Sequence, residues 1–222
     1  MKHVPKQPRL PLRKVYDALL REFGPQDWWP GRTRLEICVG AILTQNTAWT
    51  NVARAIRNLR KAHALNLATL HAAPLDQFAN WIRPAGYFNV KARRLRAFTT
   101  LVIEQFGGKL GKLFVLPTAE LRTTLLAVSG IGPETADSIV LYAATQPVFV
   151  VDAYTRRFLH RHGWISARAT YDEIAALFVM HLPRDVALFN EYHALIVTLG
   201  KIFCRPRPLC ERCPLQCWLG KK

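Results

Sequence analysis

Apolar residues along most of this chain recur with the period of an α-helix. The first clear stripe has the i, i+3, i+4, i+7, i+8 spacing of one buried helical face and consists of Leu35, Cys38, Val39, Ile42 and Leu43. Because Cys38 lies on this stripe, we interpret it as a core thiol and not as a metal ligand. The same pattern predicts further helices at about residues 51–61, 89–106, 118–127, 134–145, 153–161, 170–181 and 185–200.

No segment alternates between apolar and polar residues with the period of a β-strand. Residues 147–151 are strand-like in composition, but the run is short and stands between helical patterns. No stretch reaches the about 18 apolar residues of a membrane-spanning helix. The pattern therefore predicts an all-α protein of many short helices, without a membrane partner.

The charge of the chain indicates a polyanionic partner. Its formal net charge is +16, from 31 Lys plus Arg against 15 Asp plus Glu, which favours nucleic acid. A membrane surface is less favoured, because the charges are spread along the chain and do not form one basic amphipathic helix. A basic protein without a specialised partner is the other alternative. Residues 1–14 are basic and proline-rich with no apolar region after them, so we expect a short arm and no secretory signal. We also expect the protein to be a cytoplasmic monomer.

A glycine-rich turn joins two predicted helices at residues 125–136. Gly130 and Gly132 permit positive φ angles and remove side chains where a backbone approaches a partner closely, and Pro133 suits the first turn of the next helix. The first amides of that helix point outward and, with the helix dipole, can bind a phosphate. An ordinary connector with a glycine C-cap is the local alternative.

Asp152 follows the apolar run at 148–151 and precedes a predicted helix. Taken by itself, this position favours a helix N-cap.

Four cysteines lie close together near the C-terminus in the pattern C-x5-C-x2-C-x3-C: Cys204, Cys210, Cys213 and Cys217. A structural zinc site usually has about 12–20 residues between its ligand pairs, and that spacer is absent here. The spacing therefore favours an iron–sulfur cluster held by one loop, with zinc as the second interpretation and unligated thiols as the third. Three arginines in the loop could bind phosphate or simply be solvated: Arg205, Arg207 and Arg212.

Taken together, these motifs resemble the endonuclease III-like members of the helix-hairpin-helix (HhH-GPD) DNA glycosylase superfamily. The resemblance covers roughly residues 12–218 and includes the hairpin, the aspartate, residues 41–47, residues 86–92 and the cysteine loop with its lead-in at 199–203. It implies two helical domains beside a DNA-binding cleft. One would span 26–146. The other would combine the N-terminal arm and helix at 1–25 with residues 147–222, which carry the cluster loop, and Asp152 would lie at the junction.

The resemblance also implies roles for individual residues. Asp152 would be the catalytic carboxylate, and Gln45 would fill the gap left by a flipped base. The implied contacts to double-stranded DNA containing a damaged base are Gln45, Lys91, Gly130, Gly132 and Thr135. The four cysteines would hold a 4Fe–4S cluster, although the family's outer spacings, x6 and x5, are longer than those of this chain. A prokaryotic protein of this kind would be associated with the nucleoid.

Glu134 is the main departure from the family pattern. Endonuclease III has a Schiff-base lysine two residues after the second hairpin glycine, and a glutamate cannot form that bond. We therefore expect a mainly monofunctional glycosylase in which Glu134 either contacts the nucleotide or water, or only interacts favourably with the helix dipole. One alternative is a bifunctional glycosylase/AP lyase of the endonuclease III type, which acts on oxidised pyrimidines through another amine; the other is a non-catalytic DNA-binding protein. Lys201 is a candidate for that amine, but a solvated or phosphate-binding lysine is the favoured interpretation of this residue.

The glutamate, the aspartate and Trp49 together also resemble the branch of the superfamily that removes alkylated purines, such as 3-methyladenine. A cationic base suits an aromatic pocket. The candidate walls, for each of which core packing is the favoured interpretation, are Trp28, Trp29, Trp49 and Tyr154.

Overall fold

The computed structural model describes residues 10–219, and these residues contain helices and turns but no strand. The predicted all-α fold is therefore confirmed, and residues 147–151 are irregular. Residues 1–9 of the predicted arm lie outside the described residues. The helices are α1 (Leu12–Phe23), α2 (Arg34–Leu43), α3 (Trp49–Lys61), α4 (Leu67–Ala72), α5 (Leu75–Trp81), α6 (Phe88–Phe106), α7 (Leu110–Phe114), α8 (Thr118–Leu126), α9 (Pro133–Ser138), α10 (Ala153–Arg161), α11 (Tyr171–His181) and α12 (Val186–Ile202).

The chain forms two compact units. The first, which we call the hairpin unit, is the continuous segment Trp29–Val150. The second, which we call the cysteine unit, combines the described residues before Trp29 with those from Val151 onward. The chain passes between the units twice, and its second passage comes immediately before Asp152.

The core of the hairpin unit is built around α2. This helix is apolar on most of its circumference, and its residues from Cys38 to Leu43 are all buried, as the predicted stripe requires. Thr33 caps its N-terminus by accepting a hydrogen bond from the Glu36 amide. The indole of Trp29 lies against Gly40, where an added Cβ would come within 3.3 Å of Nε1. Gly40 therefore allows the indole of Trp29 to pack closely against α2.

Three short helices and one break in helix geometry did not emerge from the sequence pattern. The helices α4, α5 and α7 have 6, 7 and 5 residues, which is too short for a hydrophobic period to be recognised. The single helix predicted at 134–145 is instead α9 followed by a π-helical turn, Ile139–Ala143, in which the Ala144 amide donates to the Ile139 carbonyl. Apolar spacing does not distinguish a π-turn from a continuing α-helix.

The cysteine unit packs α1 and α10 against the long helix α12. The Tyr192 hydroxyl donates to the Leu12 carbonyl at 2.9 Å, and this hydrogen bond joins α12 to the start of α1 within this unit. Gly200 allows α10 to approach closely, since a Cβ there would lie 2.1 Å from a ring carbon of Tyr154. No helix within residues 10–219 has both the length and the apolar composition that a membrane crossing needs.

Candidate functional site

The glycine turn between α8 and α9 has the geometry that its sequence predicts. Gly130 has a φ of +83°, in the left-handed region that favours glycine. An added Cβ would also lie 2.5 Å from Cγ of Arg94, so a side chain is excluded for a second reason. Gly132 is exposed with nothing within 4 Å of its Cβ position, and α9 begins at the next residue. The backbone at the start of α9 is therefore open to an anion.

Gln45 is bound to this hairpin through its amide nitrogen and to α6 through its amide oxygen. Its Nε2 donates to the Gly130 carbonyl and to the Thr135 hydroxyl, both at 2.9 Å, and its Oε1 accepts from the Arg94 guanidinium. Thr135 is itself buried. In this structure both residues hold the hairpin to the α2–α3 loop. The DNA contacts predicted for them stay predictions.

Lys91 is buried, although the sequence interpretation made it a DNA contact. Its ammonium donates to the Leu43 carbonyl at 2.8 Å, the Thr47 hydroxyl at 2.6 Å and the Ala85 carbonyl at 2.8 Å. Burial, followed by the nearby Arg94, lowers the pKa of Lys91 to about 8. Because all three protons are used inside the protein, the geometry favours a structural role over a direct contact with phosphate.

Two exposed residues that the sequence analysis did not single out stand beside these buried ones. Asn46 follows Gln45 at the tip of the α2–α3 loop and has a φ of +51°. Tyr87 precedes α6, has a φ of +45° and is 72% exposed. Bulky residues are rarely found in this backbone region, and an exposed aromatic ring held there is available for stacking on a base. A large aromatic residue directly after Gly86 was the signal in the sequence.

The other candidates in the hairpin unit are surface or packing residues. Glu134 is exposed in the first turn of α9, where its carboxylate complements the helix dipole. Trp29 and Trp49 pack edge to face, with ring centroids 5.2 Å apart. In the cysteine unit, Lys201 is exposed with its Nζ 6.0 Å from the centroid of the Trp28 ring.

Asp152 is held at two points within the cysteine unit. Its Oδ1 accepts from the Thr155 amide at 2.7 Å and so caps α10, as the local sequence predicts. Its Oδ2 lies 3.5 Å from Nε2 of His193. Burial acts to raise the pKa of Asp152, but His193 and the Thr155 hydrogen bonds together outweigh it, so the pKa is lowered. The carboxylate is therefore ionised at neutral pH.

His193 was missed because it lies within the apolar face of α12. Phe189 and Ile196, one turn to each side, are fully buried, and His193 is 5% exposed. A histidine in such a stripe looks like an ordinary core residue. The only signal in the sequence was one titratable residue among apolar neighbours.

Three of the four clustered cysteines line one narrow cavity: Cys204, Cys210 and Cys213. His162 lines it too, with Nδ1 2.8 Å from the Phe158 carbonyl and a buried Nε2 that has no hydrogen-bond partner. Cys217 is exposed. Within residues 10–219, no three His, Cys, Asp or Glu side chains are arranged to hold a single metal ion.

Arginines of α10 connect this loop to the rest of the cysteine unit. Arg157 Nε donates to the Cys204 carbonyl at 2.6 Å. Arg161 donates to Cys204 Sγ at 3.3 Å and to the Arg205 and Pro206 carbonyls at 2.6 and 2.9 Å. The three arginines of the loop itself are exposed: Arg205, Arg207 and Arg212.

The fold is that of known glycosylases. A solved complex of endonuclease III with DNA aligns over 96% of each chain with a TM-score of 0.82 at 20% identity. Helicobacter pylori 3-methyladenine DNA glycosylase (MagIII), solved bound to 1,N6-ethenoadenine, aligns with a TM-score of 0.73 at 29% identity, over 86% of this chain and 98% of that one.

Sequence relatives agree with the fold. A Methanocaldococcus jannaschii protein named "Putative DNA repair glycosylase MJ1434" is 47% identical over 205 residues, which are 91% of this chain and 93% of the relative. Thermotoga maritima endonuclease III is 26% identical over 181 residues, 81% of this chain and 79% of that protein. The family model described as "HhH-GPD superfamily base excision DNA repair protein" matches residues 39–183. The chain therefore belongs to the HhH-GPD superfamily and is a DNA glycosylase of base excision repair.

Proposed function

We propose that this glycosylase is monofunctional: it uses water to hydrolyse the N-glycosidic bond of a damaged or mismatched base flipped out of duplex DNA. The observation that carries the proposal is the Asp152 carboxylate, which is ionised and fixed by Thr155 and His193. A base within a duplex is inaccessible to such a group, so the target nucleotide must leave the stack.

The reaction needs a fixed negative charge beside the sugar. As the bond between C1′ and the base nitrogen breaks, its electron pair leaves with the base and the sugar becomes oxocarbenium-like. Asp152 stabilises that positive charge and takes a proton from the water whose oxygen adds to C1′. Because the carboxylate is already ionised and hydrogen-bonded, little reorganisation is required when the charge develops.

The hairpin unit supplies the grip on DNA in this proposal. Open backbone at Gly132 and the start of α9 binds a phosphate without reading sequence. Asn46 and Tyr87 are exposed and can enter the gap in the stack. Gln45, the residue we predicted for that role, would first have to give up its contacts with the hairpin and Arg94. We therefore assign Gln45 to support and Asn46 to insertion.

Glu134 supports water as the nucleophile. A carboxylate cannot form the Schiff base on which lyase chemistry depends, and this side chain occupies the position of the lysine in the family pattern. In its contact with the nucleotide, Glu134 can at most orient the sugar or the water.

A lesion screen with two readouts tests this function. Duplexes carrying alkylated, oxidised, deaminated or mismatched bases are incubated with the protein, and abasic product is revealed by alkali. Parallel samples receive borohydride, which traps a Schiff base. We expect strand breaks only after alkali and no trapped adduct, whereas a Glu134→Lys variant is the designed positive control for trapping. A trapped adduct with the unaltered protein would show lyase chemistry, and no abasic product from any duplex would leave only DNA binding.

We further propose that the cysteine loop holds a 4Fe–4S cluster. Three of the four cysteines line one cavity, and all four follow one another without the long spacer of a structural zinc site. In a cubane cluster each thiolate binds a different iron, so the sulfurs need not converge on one point as they do around zinc. When bound, the cluster would fix the loop, presenting its three exposed arginines to DNA phosphates. Iron and sulfide analysis with visible absorbance tests this assignment.

A further inference from the structure

A second ionisable group lies behind the Asp152 carboxylate. His193 projects from α12 into the packing between α10 and α12, is 5% exposed, and has its Nε2 3.5 Å from Asp152 Oδ2. This separation is at the long limit for a hydrogen bond, as catalytic contacts often are before DNA is bound. The Thr155 amide already binds the other oxygen at 2.7 Å. One oxygen of the carboxylate is therefore hydrogen-bonded by its own helix, and the other lies within ion-pair distance of a neighbouring helix.

The other charged and polar groups around Asp152 are directed elsewhere by contacts of their own. Arg156 donates to the Ala169 carbonyl, and Arg157 donates to the Cys204 carbonyl. From α11, the Tyr171 hydroxyl accepts a hydrogen bond from the Val151 amide. His193 is thus the group on a neighbouring helix that acts on the charge of Asp152.

We propose that His193 is a positioning residue for base excision: by donating an Nε2–H to Oδ2, it fixes the orientation of the Asp152 carboxylate and keeps it ionised. The inference rests on the proposed function, because it requires Asp152 to be the reacting carboxylate. An imidazole can donate this hydrogen in either protonation state, and the imidazolium form adds charge attraction. His193 need not touch the nucleotide.

The consequence of removing His193 follows from the influences on Asp152. Burial is the largest of them and favours the protonated acid, whereas His193 favours the ionised form. Without the imidazole the pKa of Asp152 should rise, and the carboxylate should lose its charge at a higher pH. A purely structural role for His193 would change stability without moving this titration.

Duplexes with a cationic pyrrolidine abasic analogue test the inference without knowledge of the natural lesion. This probe mimics the charged sugar, and the same duplex with a neutral tetrahydrofuran site serves as the reference. The ratio of the two affinities, measured from about pH 4 to 8, reports the ionisation of Asp152. We compare the unaltered protein with His193→Phe, His193→Asn and Asp152→Asn. Thr198→Val is the matched control on α12, because its hydroxyl bonds Gln26 and not Asp152.

We expect the unaltered protein and Thr198→Val to prefer the cationic probe down to the same acidic midpoint. His193→Phe should move that midpoint upward by about one pH unit or more. His193→Asn, whose amide can still donate, should restore part of the shift and is the more conservative variant if the phenylalanine disturbs folding. Thermal unfolding of each variant verifies the fold.

The two ways of failing are distinguishable. If Asp152→Asn abolishes the preference but neither folded His193 variant moves the midpoint, the positioning role is overturned and the proposed function stands. If Asp152→Asn keeps the full preference for the cationic probe, Asp152 is not the reacting carboxylate and both proposals fall.

Discussion

The two units hold their functional segments by different means. In the hairpin unit, Lys91 and Gln45 join the α2–α3 loop, the turn before α6 and the hairpin through hydrogen bonds that use every polar atom of their head groups. In the cysteine unit, the segment from Cys204 to Leu219 contributes only Cys204 and Leu215 to the buried core of the described residues. Its attachment consists largely of arginines that reach carbonyl groups.

This difference indicates which kind of change should destabilise each unit. A buried network is stable while all its members are present, but losing one leaves the others without partners in a low dielectric. A segment with little apolar burial needs a cross-link, such as a bound metal centre, to stay ordered. So small a core cannot offset the conformational entropy that is lost when the chain is ordered. We therefore expect the hairpin unit to respond to single polar substitutions and the cysteine unit to respond to loss of the proposed cluster.

The largest effect should come from Asp152→Asn. We expect base excision to fall by about 10²–10³-fold or more, because the charge that stabilises the sugar is lost. Asparagine still caps a helix, so stability and binding to DNA with the neutral tetrahydrofuran site should be almost unchanged. Single-turnover excision and melting curves measure both. Asp185→Asn, which alters the cap of α12 at Leu188, is the matched control and should excise normally. Equal losses in both variants would point to capping rather than catalysis.

Next in size is the loss of the cluster. Cys213→Ser should lower iron and sulfide content sharply, weaken DNA binding and lower the unfolding temperature of the cysteine unit, while the hairpin unit unfolds as before. The reason is that binding to the native state alone stabilises it. Iron analysis and two-probe unfolding measure these changes. Cys38→Ala is the control, because this buried thiol lies outside the loop. Full iron in Cys213→Ser would remove Cys213 from the ligand set.

Lys91→Met should destabilise the hairpin unit by about 2 kcal/mol or more, since three oxygen acceptors lose their donor. Denaturant unfolding gives the free energy. Lys61→Met is the exposed control at the end of α3 and should change stability by less than about 0.5 kcal/mol. Equal stability in the two variants would contradict a structural role for Lys91 and favour the DNA contact that the family resemblance implies.

The smallest and most discriminating effect concerns the pair Gln45 and Asn46. Gln45→Ala should destabilise the hairpin unit by about 1 kcal/mol, because its amide bonds the hairpin. Asn46→Gly, which suits the positive φ at this position, should leave stability within about 0.5 kcal/mol but reduce excision from duplex DNA more than from single strands. The reverse pattern, with stability unchanged in Gln45→Ala and excision reduced, would make Gln45 the inserted residue.

Local patterns in the sequence predicted much of the fold. The long helices after α1 followed from apolar spacing, whereas α1 was implied only by the family resemblance. The turn at Gly130 and the cap at Asp152 followed from the conformational preferences of glycine and aspartate. The resemblance to the family could also be drawn from motif order. These features depend on residues close together along the chain, so one sequence contains all the information they need.

Only the tertiary structure decided which partners the polar side chains have. Lys91 binds a carbonyl 48 residues away, and Gln45 binds a hydroxyl 90 residues away. His193 reaches Asp152 only because α12 packs against α10. Such contacts depend on how helices pack, and a lysine or histidine gives no local sign of whether it will face water or a buried acceptor. The sequence by itself thus determined the helices, the hairpin and the candidate carboxylate, whereas packing determined the groups that hold them in place.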